Sequence, residues 1–553
     1  MATQAMTEQK AAIRRPRAGI FTGRRGRALR EYLTAYLFLA PAAVLLFTFG
    51  IFPIFYAGYV SLYKWRIKQG EYRGLANFVN AMGDVAYVFF GIIILALAYS
   101  GIMTLIRALR TARENEIPYY FPLVALIPGA ATAYGMGLII LRFITFFTQE
   151  GAIEKGYAQV LGNVPLGLFF IVVGVVANVF LDRWQHNTVV GDQRKTLPSF
   201  ATAAVMIVAT LAGAYALGRF TSTQLLSSGT AFVAWVKIRA TVTGLASLAI
   251  AYVIWSWGMR QFSTRKLAAA VIAAAAFIGG GVYLINIWPI VSAGSDPDFY
   301  LSLSATVFYA IGAVPIQLSI ALVLAYLLFQ NLKGKGFFRV VFFIPYVAPT
   351  VAGAAIFDVL FSLRDTSIAN RFVQFITRNP DLALRWLKEP NTLIATIGQA
   401  FGFEPVGTWD FGPSLALTVI IFFSIWRFVG YDTVIFLAGL GGIPNVLYEA
   451  AKIDGASRWQ LFRHVTLPLL SPTTFFLSVI SVIGTFKAFN SIWVLRDASA
   501  LGTSDTASVY FFETFFRGSR FGYATSMAMI LFIIILTLTT IQNRLAERKV
   551  FYG

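Results

Sequence analysis

Tyr448-Glu449-Ala450-Ala451-Lys452-Ile453-Asp454-Gly455-Ala456-Ser457-Arg458-Trp459-Gln460-Leu461-Phe462-Arg463-His464-Val465-Thr466-Leu467-Pro468-Leu469-Leu470-Ser471-Pro472 is a polar island between two long apolar runs. Just upstream, Pro444 suits the first turn of a helix, where a missing N–H costs nothing. Residues 447–454 favour helix, and Ala450 and Ala451 are small enough to let that helix seat closely against a partner. Gly455 ends it through a backbone conformation that other residues adopt only with strain. Ser457 and Gln460 have the S-x-x-Q spacing of a capping box, which starts a second helix. Pro468 and Pro472 mark the turn into the next apolar run. The spacing therefore predicts helix, glycine bend, helix. By itself it fits a docking element and an ordinary interfacial amphipathic loop equally well.

The surrounding chain decides that the setting is a membrane. Of 553 residues, 58% are hydrophobic and 13% charged, with a mean hydropathy of +0.70. A soluble domain carries about 25% charged residues. The apolar runs are long rather than alternating, so the chain is read as an all-α integral membrane protein. Uncharged runs of about 17–25 residues are needed per span. They predict about twelve helices, near 33–60, 86–106, 119–147, 161–181, 199–218, 231–257, 267–290, 301–330, 339–362, 413–440, 467–490 and 520–543.

The net charge of +20 sits in short loops between apolar runs, which points to lipid headgroups and helix orientation, not to nucleic acid. With no cysteine, disulfides, thiolate zinc sites and cysteine nucleophiles are excluded. Both histidines, His186 and His464, fall in predicted loops. Eight Lys/Arg between Lys10 and Arg30 precede an uncharged run over 32–63, read as an uncleaved first helix.

An even number of spans puts both termini on one side, and the basic N-terminus makes that side cytoplasmic. The inner loops then carry Arg107, Arg110 and Arg113; Arg183, Arg194 and Lys195; Arg260, Arg265 and Lys266; and Lys333, Lys335 and Arg339. The quoted stretch, with Lys452, Arg458 and Arg463, also falls inside. Lys64, Arg66, Lys68 and Arg73 are the exception, lying outside after the first helix. Residues 363–412, with Trp386 and Trp409, and residues 491–519 are the longer outer stretches.

Glu449-Ala450-Ala451, three residues, Gly455, nine residues and Val465-Thr466-Leu467-Pro468 resemble the EAA loop of ABC importer permeases, with valine where isoleucine is usual. Asp454-Gly455-Ala456 and Leu467-Pro468-Leu469-Leu470 resemble the carbohydrate-uptake branch, that of the maltose and glycerol-phosphate permeases. Leu39-Ala40-Pro41-Ala42, Gly74-Leu75-Ala76-Asn77-Phe78, Phe343-Ile344-Pro345-Tyr346 and Trp426-Arg427 extend the likeness. It covers roughly 30–80 and 300–550, with six core helices, and implies a type I importer permease fold. About six further helices over 86–290 match nothing recognisable and interrupt the core after its first helix.

The expected organisation is a basic arm (1–32), the first core helix and outer segment (33–80), an inserted six-helix region (81–297) and the rest of the core (298–553). The last part holds the outer loop 363–412 and the coupling loop 441–468.

The resemblance implies a noncatalytic subunit in the cell inner membrane that passes a sugar or related polyol. Its implied partners are a second permease subunit, as a heterodimer, two ATPase subunits and an extracytoplasmic solute-binding protein. No cofactor is expected in this chain; ATP and Mg belong to the ATPase, since no Walker-type G-x-x-x-x-G-K-[ST] run is present. The residues implied for ATPase coupling are Glu449, Ala450, Ala451, Asp454, Gly455 and Arg458. Those implied for the substrate path are Arg427, Tyr431, Ser481, Thr485, Lys487 and Asn490, with Phe486 as an aromatic face and Asp432 as a possible partner of Arg427. The alternative is a twelve-helix secondary transporter, which predicts similar halves and coupling carboxylates in the spans, neither of which is evident.

Overall fold

The computed structural model describes residues 24–114, 120–148, 164–188, 196–227, 231–258, 264–330, 333–400, 402 and 412–546. His186 lies at the end of a described helix, whereas much of the basic arm, Arg194, Lys195, Arg260 and Trp409 lie outside the described residues. The chain divides into two units, 1–59 and 60–553. In the first, α1 (Arg24–Leu45) passes through a π-helical turn, Leu46–Ile51, into α2 (Phe52–Ser61). Pro53 has no N–H to offer the preceding turn, and the wider turn before it accommodates that loss.

The second unit opens with a two-stranded antiparallel hairpin, β1 (Tyr63–Trp65) and β2 (Gln69–Tyr72), followed by α3 (Ala76–Met82). Six long helices follow: α4 (Val85–Glu114), α5 (Tyr120–Thr148), α6 (Val164–Thr188), α7 (Thr196–Ser227), α8 (Ala231–Gly258) and α9 (Thr264–Ser292). They pack mainly on one another, α4 on α7, α5 on α6 and α7, and α8 on α9, with α8 also touching α4.

The two ends of this inserted bundle meet. Lys237 on α8 pairs with Asp84 at 3.2 Å and donates to the carbonyl of Ala293 at 2.7 Å. Asp296 N–H donates to the Ala81 carbonyl, and the Tyr300 hydroxyl donates to that of Met82. Gly83, at φ +63°, lies against Ser295, where a Cβ would come within 3.3 Å of the serine Cβ. The chain therefore leaves the core at residue 83 and returns beside the same point near residue 295.

The remaining elements are α10 (Pro297–Phe329), α11 (Lys335–Val347), α12 (Thr350–Leu360), α13 (Ile368–Thr377), α14 (Leu393–Ala400), α15 (Leu415–Gly441), α16 (Asn445–Ile453) and α17 (Arg458–Leu461). They are followed by α18 (Leu467–Leu469), α19 (Ser471–Phe486), α20 (Asn490–Leu495), α21 (Ala507–Phe516) and α22 (Phe521–Ala546). α15 is the axis of this half. It packs on α10, α11 and α19, and Leu417, Ile420 and Phe423 are fully buried with Tyr309 of α10. A second core joins α3, α10 and α22 through Phe78, Phe299, Tyr523 and Met527.

Among the described residues, eight helices are long and apolar enough to cross a membrane, and two bent pairs bring the number to ten. α5 and α6, 29 and 25 residues long, lie where two further spans are expected, with apolar stretches Leu126–Ile139 and Val164–Asn178 among their described residues. The expected span 339–362 is corrected to two helices, α11 and α12, at 95° to each other. Ala348 and Pro349 between them are extended (ψ 141° and 132°), as steric clash with a following proline ring demands at Ala348. The expected span 467–490 is likewise shortened to α19, which ends at Phe486 and meets the 458–469 segment at 61°.

The two longer loops form one lobe. Asn370 is wholly buried and organises it, accepting from Leu384 N–H and Trp386 Nε1 while its amide faces the carbonyls of Arg364, Leu384 and Ser362. Lys388 reaches Asp497 across the two loops at 3.5 Å. Arg496 lies 3.9 Å above the Trp493 ring and bridges Asp505 at 3.2 Å and Glu513 at 2.6 Å. Its hydrogen bond to Glu513 holds that carboxyl below its ordinary range, whereas burial pushes the Asp505 carboxyl up against the pull of Arg496.

Candidate functional site

The quoted stretch folds as its chemistry requires. α16 ends at Ile453 with Asp454 as its C-cap, and Gly455 takes the left-handed conformation (φ +79°). Ala456 N–H then donates to the Ala451 carbonyl and Gly455 N–H to that of Lys452. This six-to-one, five-to-two pair is a Schellman motif, which satisfies carbonyls that a helix end leaves open. Ser457 caps α17 with both bonds of the capping box: Gln460 N–H donates to Ser457 Oγ, and Ser457 N–H to Gln460 Oε1. One expectation shifts by a residue. Pro444 is the N-cap of α16, one place before its first turn, because its ψ of 131° is extended.

The elbow is braced from below. Tyr448 Oη and Thr466 Oγ1 are 3.1 Å apart, and Thr466 is buried. Phe462 packs edge-on against Tyr326 of α10 at 4.9 Å, and Trp459 stacks on Phe462. Above the brace, Glu449, Ala450, Asp454, Gly455 and Arg458 are exposed and Ala451 is half-buried. Ala451, Asp454, Gly455, Ala456, Gln460 and His464 surround a cavity of about 270 Å³ in the crook of the elbow. All six residues expected for coupling thus lie on one small projection, with Ile453 (87% exposed) and Val446 (70%) beside them. Large apolar side chains this open on a rigid projection are suited to a protein partner.

The second cluster forms where the broken α11–α12 segment meets α15. Gly430 makes that meeting close: a Cβ there would run into the carbonyl oxygen of Phe342. Arg427 donates from Nη1 to the Ala348 carbonyl at 3.0 Å, satisfying an acceptor that the break removes from helical bonding. Tyr431 stacks on Tyr346 with ring centroids 4.6 Å apart and planes at 24°, and Phe428 lies 5.9 Å from the same tyrosine. Irregular backbone at membrane depth is tolerated where it is covered by protein or lines a polar cavity.

The expected substrate-path residues do not all converge. Arg427 and Tyr431 are half-buried at the break, and Ser481 is half-buried on α19. Thr485 is buried with its hydroxyl donated to the Val482 carbonyl. Lys487 and Asn490 are exposed beyond the end of α19. Phe486 is 4% exposed and packs with Ala310, Ala507 and Leu531, so it offers no open face. Arg427 is not paired with Asp432: its guanidinium turns to Ala348, while Asp432 Oδ2 and Gln317 Oε1 are buried without a hydrogen-bond partner among the described residues. Tyr346, quoted only within the family likeness, and Phe428 are not among the expected site residues. The Pro345 and Pro349 bracket was the available signal, since it marks where a helix breaks and its neighbours turn inward.

Long apolar helices, two bent helix pairs, one axial helix and a braced helical elbow between two of the core helices define a polytopic membrane subunit. Residues 317–552 match the family model described as binding-protein-dependent transport system inner membrane component. The lactose transport system permease protein LacF of Rhizobium radiobacter is 32% identical over 273 residues, covering 48% of this chain and 80% of that protein. The sn-glycerol-3-phosphate transport system permease protein UgpA of Agrobacterium fabrum is 28% identical, covering 47% and 79%. Among solved structures, a chain of a bacterial alginate ABC transporter in complex with an alginate-bound periplasmic protein is 20% identical, with a TM-score of 0.38 over 51% of this chain and 93% of that one. The chain belongs to the family of binding-protein-dependent transport system inner membrane components, the permeases of ABC transporters.

Proposed function

We propose that this chain is the permease subunit of an ATP-driven importer that passes a sugar or related polyol through the inner membrane. The observation that carries the reading is the elbow: a helix closed by a Schellman glycine, a second helix opened by a full capping box, and a braced base. Such a rigid lever transmits movement of a docked partner to α15 and α19, the helices on either side of it. The partner is an ATPase that holds ATP and Mg. Glu449, Asp454 and Gly455 seat in its groove, Ala450 and Ala451 permit close approach, and Arg458 meets an acidic residue.

In this reading the elbow and both termini are cytoplasmic, and the lobe built on Asn370 is extracytoplasmic. A solute-binding protein delivers there, and a second, different permease subunit completes the pathway. Two kinds of support bear on the solute class: relatives named for lactose, arabinooligosaccharide and trehalose/maltose transport, and the Tyr346–Tyr431 aromatic pair at the break. Stacked tyrosines present the apolar body and hydroxyl rim that sugars match.

The test is solute-stimulated ATP hydrolysis by the reconstituted complex carrying Glu449→Lys or Gly455→Pro. Both variants are expected to insert and to lose stimulation. Wild-type stimulation in both would remove the elbow from the coupling role.

A further inference from the structure

The cations that break the charge bias of the loops are gathered in one place. Lys64 on β1, Arg66 in the hairpin turn, Arg73 after β2 and Arg520 at the start of α22 line a single polar cavity of about 230 Å³, with Trp65 and Asn80. These residues come from three separate segments, so the tertiary fold and not the sequence brings the fourth cation to the other three.

The walls are rigid. Asn77, 3% exposed, donates from Nδ2 to the carbonyls of Ser61 at 2.8 Å and Tyr63 at 2.9 Å, pinning the root of the hairpin. Gly522 lets the first turn of α22 press on β1, since a Cβ there would meet the carbonyl oxygen of Tyr63. That first turn is the N-terminus of a 26-residue helix, whose unbonded N–H groups add positive potential to the same space.

None of Lys64, Arg66, Arg73 or Arg520 makes a salt bridge among the described residues. Arg520 lies 4.3 Å over the Tyr523 ring. Asp296 pairs with none of the four; its carboxylate accepts from the hydroxyls of Tyr510 at 2.8 Å and Tyr523 at 2.6 Å and from the N–H groups of Asp298 and Phe299. Glu71, on β2, is exposed and is not part of the cavity wall.

The position selects the class of anion. The hairpin starts two residues after the apolar span Leu37–Ser61, and the span Phe521–Arg544 starts one residue after Arg520. The cavity therefore opens at the boundary of the hydrocarbon, on the membrane face opposite the elbow. Tyr63, Trp65 and Tyr72 cluster at the same level, with centroids 5.3 and 6.5 Å from Tyr63, as side chains of the headgroup belt do. We propose that this cavity binds the phosphate of an anionic phospholipid headgroup from that leaflet, with the four cations and the α22 N-terminus as its donors. The bound lipid would clamp the hairpin to the last core helix.

The test uses the assembled complex purified in detergent and delipidated, probed with phosphatidylglycerol, phosphatidylcholine and inorganic phosphate by native mass spectrometry and thermal shift. Wild type is expected to retain phosphatidylglycerol over phosphatidylcholine. Arg66→Gln/Arg73→Gln/Arg520→Gln is expected to weaken that retention at least roughly tenfold, whereas Arg378→Gln, outside the cavity, leaves it unchanged. Should the triple variant fail to accumulate, Arg66→Gln alone, an exposed turn residue, must show a smaller loss in the same direction. Equal retention by wild type and variants, or no preference over phosphatidylcholine, overturns the proposal. Inorganic phosphate that displaces phosphatidylglycerol and reproduces its thermal shift overturns the lipid source in favour of free phosphate. Variants that keep the lipid but lose capture of the solute-binding protein also overturn it, in favour of a protein partner.

Discussion

Arg427 on α15 donates from Nη1 to the carbonyl of Ala348, 3.0 Å away, at the point where α11 and α12 part company. The guanidinium therefore acts as a plug for a broken helix. Its removal leaves a carbonyl without a partner in a low-dielectric setting, which costs about 1–3 kcal/mol. Arg427→Met is expected to lower the melting temperature of the complex and to reduce solute-stimulated hydrolysis, and Arg427→Lys to restore part of both. Unaltered melting in Arg427→Met would show that the bond contributes nothing.

Gly430 sets the distance between α11 and α15. A methyl group there meets the Phe342 carbonyl, a backbone atom that cannot swing aside. Gly430→Ala is expected to destabilise by about 1–3 kcal/mol or more through overpacking. Gly441→Ala at the end of the same helix has open space around it and serves as the tolerated control. Thermal unfolding in detergent distinguishes the two.

The inserted bundle should be dispensable for transport. Its ends meet through contacts outside it: Asp296 N–H donates to the Ala81 carbonyl, the Tyr300 hydroxyl donates to that of Met82, and Gly83 lies against Ser295. Replacing residues 85–292 by a short Gly/Ser linker brings the core back to a six-helix permease whose new connection is already the right length. Uptake by the shortened complex is expected to persist. Loss of uptake with intact assembly would assign the bundle a direct part in translocation.

Glu513→Gln tests the lobe. The Arg496 hydrogen bond depresses the Glu513 carboxyl below its ordinary 4.5. Because the folded value is lowered, the carboxylate contributes stability that is fully present above the unfolded value and fades as pH falls through the folded one. The wild-type advantage over Glu513→Gln in melting temperature is therefore expected to be complete at neutral pH and to shrink as the solution is acidified below the ordinary glutamate range. Burial, and after it the neighbouring Glu513 charge, pushes Asp505 the other way against the pull of Arg496, so its titration opposes this trend in the wild type.

Much of the candidate site was legible in the chain. Gly455, Ser457 and Gln460 act within a few residues of themselves, so the Schellman turn and the capping box follow from local chemistry. The extent of α15, expected at 413–440 and found as Leu415–Gly441, follows from its uninterrupted apolar run. The break at Ala348 was missed because the hydrophobicity of 339–362 is continuous across it. Hydropathy measures affinity for lipid, not direction, and two prolines five residues or fewer from each other turn a helix without changing that affinity.

The sequence by itself determined an all-helical membrane protein with a helix–bend–helix elbow, because composition and short-range turn chemistry are sufficient for both, and the likeness of that elbow to the EAA loop supplied the permease reading. Only the tertiary structure decided that Arg427 serves Ala348 and not Asp432, that Phe486 is core, and that Arg520 joins Lys64, Arg66 and Arg73 around one cavity. Those outcomes depend on which helix faces are pressed together across tens to hundreds of residues of chain, and the close approaches at Gly430 and Gly522 fix them.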